Sequence, residues 1–332
     1  MRGPLQKAGT FAAFALQQRR NAARIRGELS PLDPAALRLT GAEPDWVETG
    51  VSVEEGVRFR VAVSGHLWLS KPLAVAFNAC EAVWIRIGEG RPRKVFAESA
   101  VYAAWETGPV RVLAKGLSAF AGEGDGVLAP GPRKALPGGV GVRVTLTEDA
   151  PDDEPTPDGW TAHWQIGEGT VYQGGDAGGD GVEIRTHGDV GIIRRPLEAP
   201  LREGTRLEWE WRIDALPSEL PEDLVTTHDY LSVAVEFENG LDLTYMWSAS
   251  LPEGHAFRCP LPWWCDREFH LVARSGTEGL GEWRRESRDI WADYPKAIPG
   301  PRPERVVAFW VIANSIFQRG RGAGAIRGAA VV

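Results

Sequence analysis

The hydrophobic pattern changes three times along the chain. Residues 5 to 27 place Leu5, Phe11, Phe14, Ala15, Ala22 and Ile25 at helical spacing, with Arg19, Arg20, Arg24 and Arg26 around them, which predicts a basic amphipathic helix. From Trp46 to about Thr147 the texture becomes short alternating segments broken by Gly, Pro or charge. Examples are Val57-Arg58-Phe59-Arg60-Val61-Ala62-Val63, Ala82-Val83-Trp84-Ile85-Arg86-Ile87, Val110-Arg111-Val112-Leu113 and Val140-Gly141-Val142-Arg143-Val144. Period-two alternation sends successive side chains to opposite faces of a strand, and no helix of ordinary length intervenes. The stretch EDAPDDEPTPD from Glu148 to Asp158 is acidic, proline-rich and free of apolar period, the composition of a linker. A second set of strands follows: Val182 to Ile184, Arg206 to Ile213, Leu231 to Phe237, Leu241 to Trp247, Phe269 to Arg274 and Val306 to Ala313. In the Arg206 segment, Leu207, Trp209, Trp211 and Ile213 alternate with Arg206, Glu208, Glu210 and Arg212, so one face is buried and the other is wet or lines a groove.

This pattern predicts an all-β fold class: two jelly-roll-like β-sandwiches in tandem, preceded by a short N-terminal amphipathic helical arm. The arm covers residues 1–44, the first sandwich 45–148, the linker 149–159 and the second sandwich 160–332. A chain of 332 residues exceeds the size at which one hydrophobic core keeps growing, which supports two domains. The 39 glycines and 24 prolines carry no short repeat and suit many tight turns. A net charge of −8 argues against nucleic acid as a partner, since phosphate backbones are held by clustered Lys and Arg. No run approaches the ~20 apolar residues of a membrane-spanning helix. Arg19 and Arg20 follow the short apolar run where a signal peptidase needs small residues, so no cleavable signal is expected. A cytoplasmic or peripheral membrane location follows, with the basic arm as the membrane contact. Cys80, Cys259 and Cys265 show no metal-ligand or redox spacing and read as free thiols, although Cys259 and Cys265 could bridge a small loop.

Two resemblances emerge from these segments. Asp45-Trp46-Val47-Glu48-Thr49-Gly50-Val51, Gly56, Val63-Ser64-Gly65-His66-Leu67-Trp68-Leu69 and Trp84-Ile85-Arg86-Ile87-Gly88 resemble the bacterial galactophilic (PA-I type) lectins. That likeness implies a jelly roll that binds galactose through calcium held by a loop near Phe120 to Gly139. Here the loop has Asp125 as its only Asp and no Asn, so no metal ligands and no cofactor are assigned. The second resemblance rests on Leu207-Glu208-Trp209-Glu210-Trp211-Arg212, His228-Asp229-Tyr230, Leu243-Thr244-Tyr245-Met246-Trp247-Ser248, Ala273-Arg274-Ser275-Gly276 and the WRRESRDIWADY run from Trp283 to Tyr294. Residues from about 160 to 332 are similar in these motifs to the domain-of-unknown-function family 3047, which implies a β-sandwich. That family often has an Asp-rich D-x-D-N-T segment before its last strand, whereas this chain has Ala313-Asn314-Ser315-Ile316-Phe317-Gln318-Arg319-Gly320.

The candidate chemistry lies in the second sandwich. His228, Tyr245 and Arg274 form an alternative catalytic set, a base beside a guanidinium that pairs a uronate, as in a polysaccharide lyase or hydrolase. Asp229 and Arg285 lie in the same segments. Trp247, Trp283, Arg288, Asp293 and Tyr294 are candidate ligand-binding residues. Fourteen tryptophans include the adjacent Trp263 and Trp264 in a proline-flanked loop, which with Phe11, Phe14, Arg19 and Arg20 are candidate interface residues. Gly174 to Gly181 reads as a long turn, with Asp176 and Asp180 as a minor calcium alternative, and no G-x-S-x-G or H-E-x-x-H is present. Together these features favour a non-catalytic protein, either a glycan-binding module or an accessory or structural subunit bound to a protein partner. The alternative is the carbohydrate-active enzyme.

Overall fold

The computed structural model describes residues 2–115, 135–153, 156–167, 171–174, 181–262 and 264–332. The expected calcium loop up to residue 134, Asp176, Asp180 and Trp263 therefore lie outside the described residues. The chain is all-β with one long N-terminal helix, and it divides into two compact units. Residues 18–154 with 165–169 form one unit; residues 1–17 with 155–164 and 170–332 form the other.

Helix α1 spans Pro4–Glu28, opening on a proline whose missing N–H would be unpaired in the first turn anyway. Thr10, Phe14, Gln18 and Ile25 form its buried stripe, while Leu5, Phe11 and Leu16 point outward at 89%, 45% and 48% exposure. The stretch expected to be an arm thus contributes a packed face, and Leu37–Leu39 within it forms strand β1.

The N-terminal unit continues with β2 (Val47–Val53), β3 (Arg58–Ser70), β4 (Val75–Asn78), the one-turn helix α2 (Ala79–Ala82) and β5 (Val83–Ile87). Then come β6 (Arg93–Lys94), β7 (Ser99–Ala103), β8 (Gly108–Ala114) and β9 (Gly138–Leu146). One sheet runs β1-β9-β3-β4 with β7 also paired to β3; the other runs β2-β8-β5-β6. Phe59, Val61 and Val63 of β3 pack with Val83, Ile85 and Ile87 of β5 and Val110 and Val112 of β8 in the shared core. Alternation in these strands supplies one apolar face to each sheet, which is what a sandwich requires.

The C-terminal unit holds β10 (Thr161–Ile166), β11 (Tyr172–Gly174), β12 (Val182–His187), β13 (Val190–Pro200) and β14 (Arg206–Ala215). It continues with β15 (Tyr230–Phe237), β16 (Asp242–Ser248), β17 (Ala256–Arg258), β18 (Glu268–Ser275), β19 (Arg284–Asp289), α3 (Ile290–Ala297), β20 (Arg305–Asn314) and β21 (Arg321–Val331). Seven strands order as β10-β13-β20-β15-β16-β18-β17 and five as β11-β12-β21-β14-β19. β16 and β18 pair in parallel, because the edge strand β17 turns the chain back before β18. Between the sheets Trp209 meets Tyr245 and Trp211 meets Trp247, with ring centroids 5.5 Å apart in both pairs. Each such ring buries on the order of 150–250 Å² of surface, so these four dominate the core.

The face assignment of β14 is testable in urea unfolding of the full chain followed by tryptophan fluorescence. Trp209→Ala is expected to cost about 3–5 kcal/mol. Glu210→Ala, which removes only a surface ion pair to Arg327, is expected to cost about 1 kcal/mol or less. Equal losses would refute the inward and outward roles of these neighbours.

Candidate functional site

The seven-stranded sheet buries side chains on both of its faces. Leu231, Val233, Leu243, Tyr245, Phe269 and Leu271 enter the inter-sheet core. Their alternates Tyr230, Ser232, Asp242, Thr244, Glu268 and His270 are just as deeply buried on the opposite face. Strand pairing sets Asp242 beside Glu268 and Thr244 beside His270. His228, after the short turn Val225–Thr227, joins this polar group: its Nδ1 lies 2.7 Å from the Glu222 carbonyl and its Nε2 3.4 Å from Cys259 Sγ. Tyr230 donates its hydroxyl to Glu268 Oε1 at 2.8 Å, and Thr244 donates to Asp242 Oδ1 at 2.9 Å. Burial pulls His228 down to about 4 and holds His270 well below the usual imidazole value, so both rings are neutral. Burial also raises the Glu268 and Asp242 carboxyls and the Cys259 thiol. Among the described residues, neither ring nitrogen of His270, nor Asp242 Oδ2, nor the Ser232 hydroxyl has a hydrogen-bond partner. Each buried polar atom left so costs about 1–3 kcal/mol.

The alternative catalytic set does not converge. His228 belongs to the outward cluster, whereas Tyr245 is wholly buried on the inner face of the same sheet. Tyr245 donates to Asp293 Oδ2 at 3.2 Å, and burial, with the Asp293 charge, pushes its phenol well above the usual value. A phenol in that position has no access to a solvent-borne substrate and does not ionise at neutral pH. Arg274 is ion-paired with Glu286, which also accepts from Trp211 Nε1 at 3.1 Å. Asp229 is a loop staple: its carboxylate accepts the backbone N–H of Phe317 and Gln318 at 3.0 and 2.6 Å. That bond occupies the segment where the Asp-rich motif was expected.

Of the candidate ligand residues, Trp247 and Tyr294 are buried in the core, where Trp247 donates to the Gly276 carbonyl at 2.9 Å. Tyr294 packs edge-on against Phe237 and accepts from Asn239. Asp293 is buried with Arg288 at 3.5 Å and Lys296 at 2.6 Å, an ion-paired group at the start of α3. These four are corrected from ligand contacts to structural residues, because alternation and the α3 cap turn them inward.

Trp283 differs. It precedes β19 on the outer face of the five-stranded sheet, half-buried, with the Arg327 guanidinium 4.0 Å and that of Arg212 5.5 Å from its ring centre. Around it runs a charge ladder: Arg327 to Glu210 at 2.8 Å, Arg285 to Glu208 at 2.7 Å, Ser287 to Glu208 at 3.0 Å, and Arg212 to Asp214 at 2.9 Å. Arg285, followed by the Ser287 hydroxyl, holds the Glu208 carboxyl below its ordinary value, so Glu208 stays ionised and accepts hydrogen bonds.

Among the interface candidates, Phe14 is wholly buried and Trp264 nearly so, with Trp264 edge-on to Trp164 and Trp310; they are corrected to packing residues. Phe11, Arg19 and Arg20 are exposed. All three cysteines are free thiols. Among the described residues no helix is long and apolar enough to cross a membrane. Glu268, His270, Tyr230, Asp242 and Cys259 escaped sequence reasoning. Their signal was Glu268 and His270 at period-two positions of an otherwise apolar strand, but only pairing shows that both of its faces are covered.

Tyr245→Phe tests the structural assignment. Loss of one hydroxyl donor to an Asp293 that keeps two cations is expected to cost about 1 kcal/mol, read as a lower melting temperature. An unchanged melting temperature together with lost ligand binding or turnover would return Tyr245 to the functional set.

The family of proteins of unknown function DUF3047 matches residues 158–328. No curated protein matches the chain. Among solved structures the chain is similar to the xyloglucanase domain of NopAA, a type three effector from Sinorhizobium fredii, in complex with cellobiose. The identity is 9% and the TM-score 0.33, with 53% of this chain and 92% of that one covered. It is also similar to the N-terminal CBM22-1–CBM22-2 tandem domain of Paenibacillus barcinonensis Xyn10C, at 10% identity and a TM-score of 0.23, over 90% and 86% of the two chains. A third is SGBP-B from a complex xyloglucan utilization locus in Bacteroides uniformis, at 11% identity and a TM-score of 0.26, over 86% and 71%. The family match spans the C-terminal sandwich almost from end to end and takes in just over half of the sequence, and the protein belongs to the DUF3047 family.

Proposed function

We propose that the protein is a non-catalytic β-sandwich binding protein, that its ligand is a glycan, and that the ligand face is the outer surface of the five-stranded sheet around Trp283. The observation that carries this reading is the Trp283 setting: a half-exposed indole on an open sheet face, held by Arg327 and Arg212 among carboxylates and hydroxyls. Sugars present apolar C–H faces and a rim of hydroxyls, which an indole and a set of oriented guanidinium and carboxylate groups match. The same ladder speaks against catalysis there, because Glu208 and Glu210 are each paired with an arginine, whereas a general acid needs a carboxyl that keeps its proton near neutrality.

Affinity electrophoresis and array binding over neutral and uronate-containing polysaccharides test the proposal. Wild type is expected to be retained by at least one glycan class, and Trp283→Ala to weaken that binding about tenfold or more, as for a central aromatic contact, with an unchanged melting temperature. Equal binding by the variant would refute the Trp283 face. Release of unsaturated or reducing ends from any of the polysaccharides would overturn the non-catalytic reading.

A further inference from the structure

The buried cluster on the outward face of the seven-stranded sheet has a different chemistry. We propose that it is a structural metal site of the zinc class, in which His228, Glu268, His270 and Cys259 supply two imidazole nitrogens, a carboxylate oxygen and a thiolate sulfur. One ligand atom each from His228, Glu268 and His270 lies within 4.8 Å of the others, and all three residues are buried; Cys259 is outside this group of three and stands beside it, against His228. Zinc bonds of about 2.0–2.3 Å in a tetrahedron set neighbouring ligand atoms about 3.5 Å apart. His270 Nε2 lies 3.6 Å from Glu268 Oε1, and Cys259 Sγ lies 3.4 Å from His228 Nε2.

The surroundings orient these groups as ligands. Neutral His228 donates from Nδ1 to the Glu222 carbonyl at 2.7 Å, which leaves the Nε2 lone pair facing the cluster, the outer hydrogen bond that metal-bound histidines usually make. His270 is the independent sign of a missing partner: it is wholly buried, and neither of its nitrogens is hydrogen-bonded among the described residues. Phe257 stacks on the face of its ring at 4.7 Å and 11°, so the imidazole is fixed while its edge remains open to the cluster. Tyr230 donates to Glu268 Oε1 and sets the carboxylate. A donor set with sulfur and two nitrogens excludes calcium and magnesium, which take oxygen. Burial of His228, Glu268 and His270 keeps a solvent-borne substrate from the ion, and with Cys259 as the fourth donor the shell is that of a structural rather than a catalytic site. The bound ion ties the turn before β15, the loop after β17 and the start of β18 together. The site is on the other sheet from Trp283, and its test is independent of glycan binding.

The experiment uses the full chain, stripped with a chelator, reloaded with zinc chloride and freed of excess metal, with content read by plasma mass spectrometry. Wild type is expected to hold about one zinc per chain, and removing the ion to lower the melting temperature, as for structural zinc generally. Reloading with cobalt(II) is expected to give the visible bands of a tetrahedral ion and a thiolate charge-transfer band, the latter lost in Cys259→Ser. His270→Phe, which keeps the ring shape, is expected to retain about a tenth of the wild-type content or less. Wild type without stoichiometric zinc, or with a melting temperature indifferent to zinc and chelator, would overturn the site whatever the variants do. Full zinc content in His270→Phe would overturn it equally, by placing the ion elsewhere.

Discussion

Trp209 and Trp211 of β14 meet Tyr245 and Trp247 of β16 across the C-terminal sandwich, ring against tilted ring. A strand has a side-chain period of two, so sending these rings inward decides the opposite face of each strand as well. Glu208, Glu210 and Arg212 must then point out from one sheet, and Asp242 and Thr244 away from the core in the other. Strand pairing carries that choice from Asp242 to Glu268 and from Thr244 to His270. A slip of one residue would place the indoles in water and the carboxylates in the core, which is why the register has no close competitor.

The two outward faces created in this way have different fates. That of the five-stranded sheet meets solvent, and its charges pair across neighbouring strands into a ladder with Trp283 among them. That of the seven-stranded sheet is covered, and a covered polar group needs a partner. Most find one: Glu222 accepts from Ser218, Ser248 and the Ala249 N–H, Asp229 from two backbone amides, and Ser315 bonds Thr186 and the Gly188 N–H. Among the few left without one, beside the Ser232 hydroxyl and Asp242 Oδ2, His270 stands out because neither of its ring nitrogens is hydrogen-bonded among the described residues. The rigid neighbourhood fixes the donor atoms in place, the condition under which a metal site can be preformed.

The strands themselves were legible in the sequence wherever alternation was strong, as in Arg206 to Ile213 and Val57 to Val63. So were the helix at the N-terminus and the family likeness carried by the LEWEWR, HDY and LTYMWS motifs. The sites were less legible. Tyr245, Trp247, Asp293 and Tyr294 have the residue types of a sugar site and serve as core and cap, because residue type does not reveal which face a strand turns to its partner sheet. Trp283 was named among them and alone of the aromatics in that set reaches a solvent-facing surface.

The chain by itself determined what depends on near neighbours: strand and helix periods and the apolar face of each strand. Only the tertiary structure decided which of those faces are covered. His228 is 40 residues from Glu268 in the chain and Cys259 is 31 residues from His228, yet their side chains gather in one cluster. That meeting follows from β16 and β18 pairing in parallel, with β17 returning along the edge. Such pairings join segments with no local signal of each other, since their free energy comes from burial and hydrogen bonds that exist only once the sheet has formed.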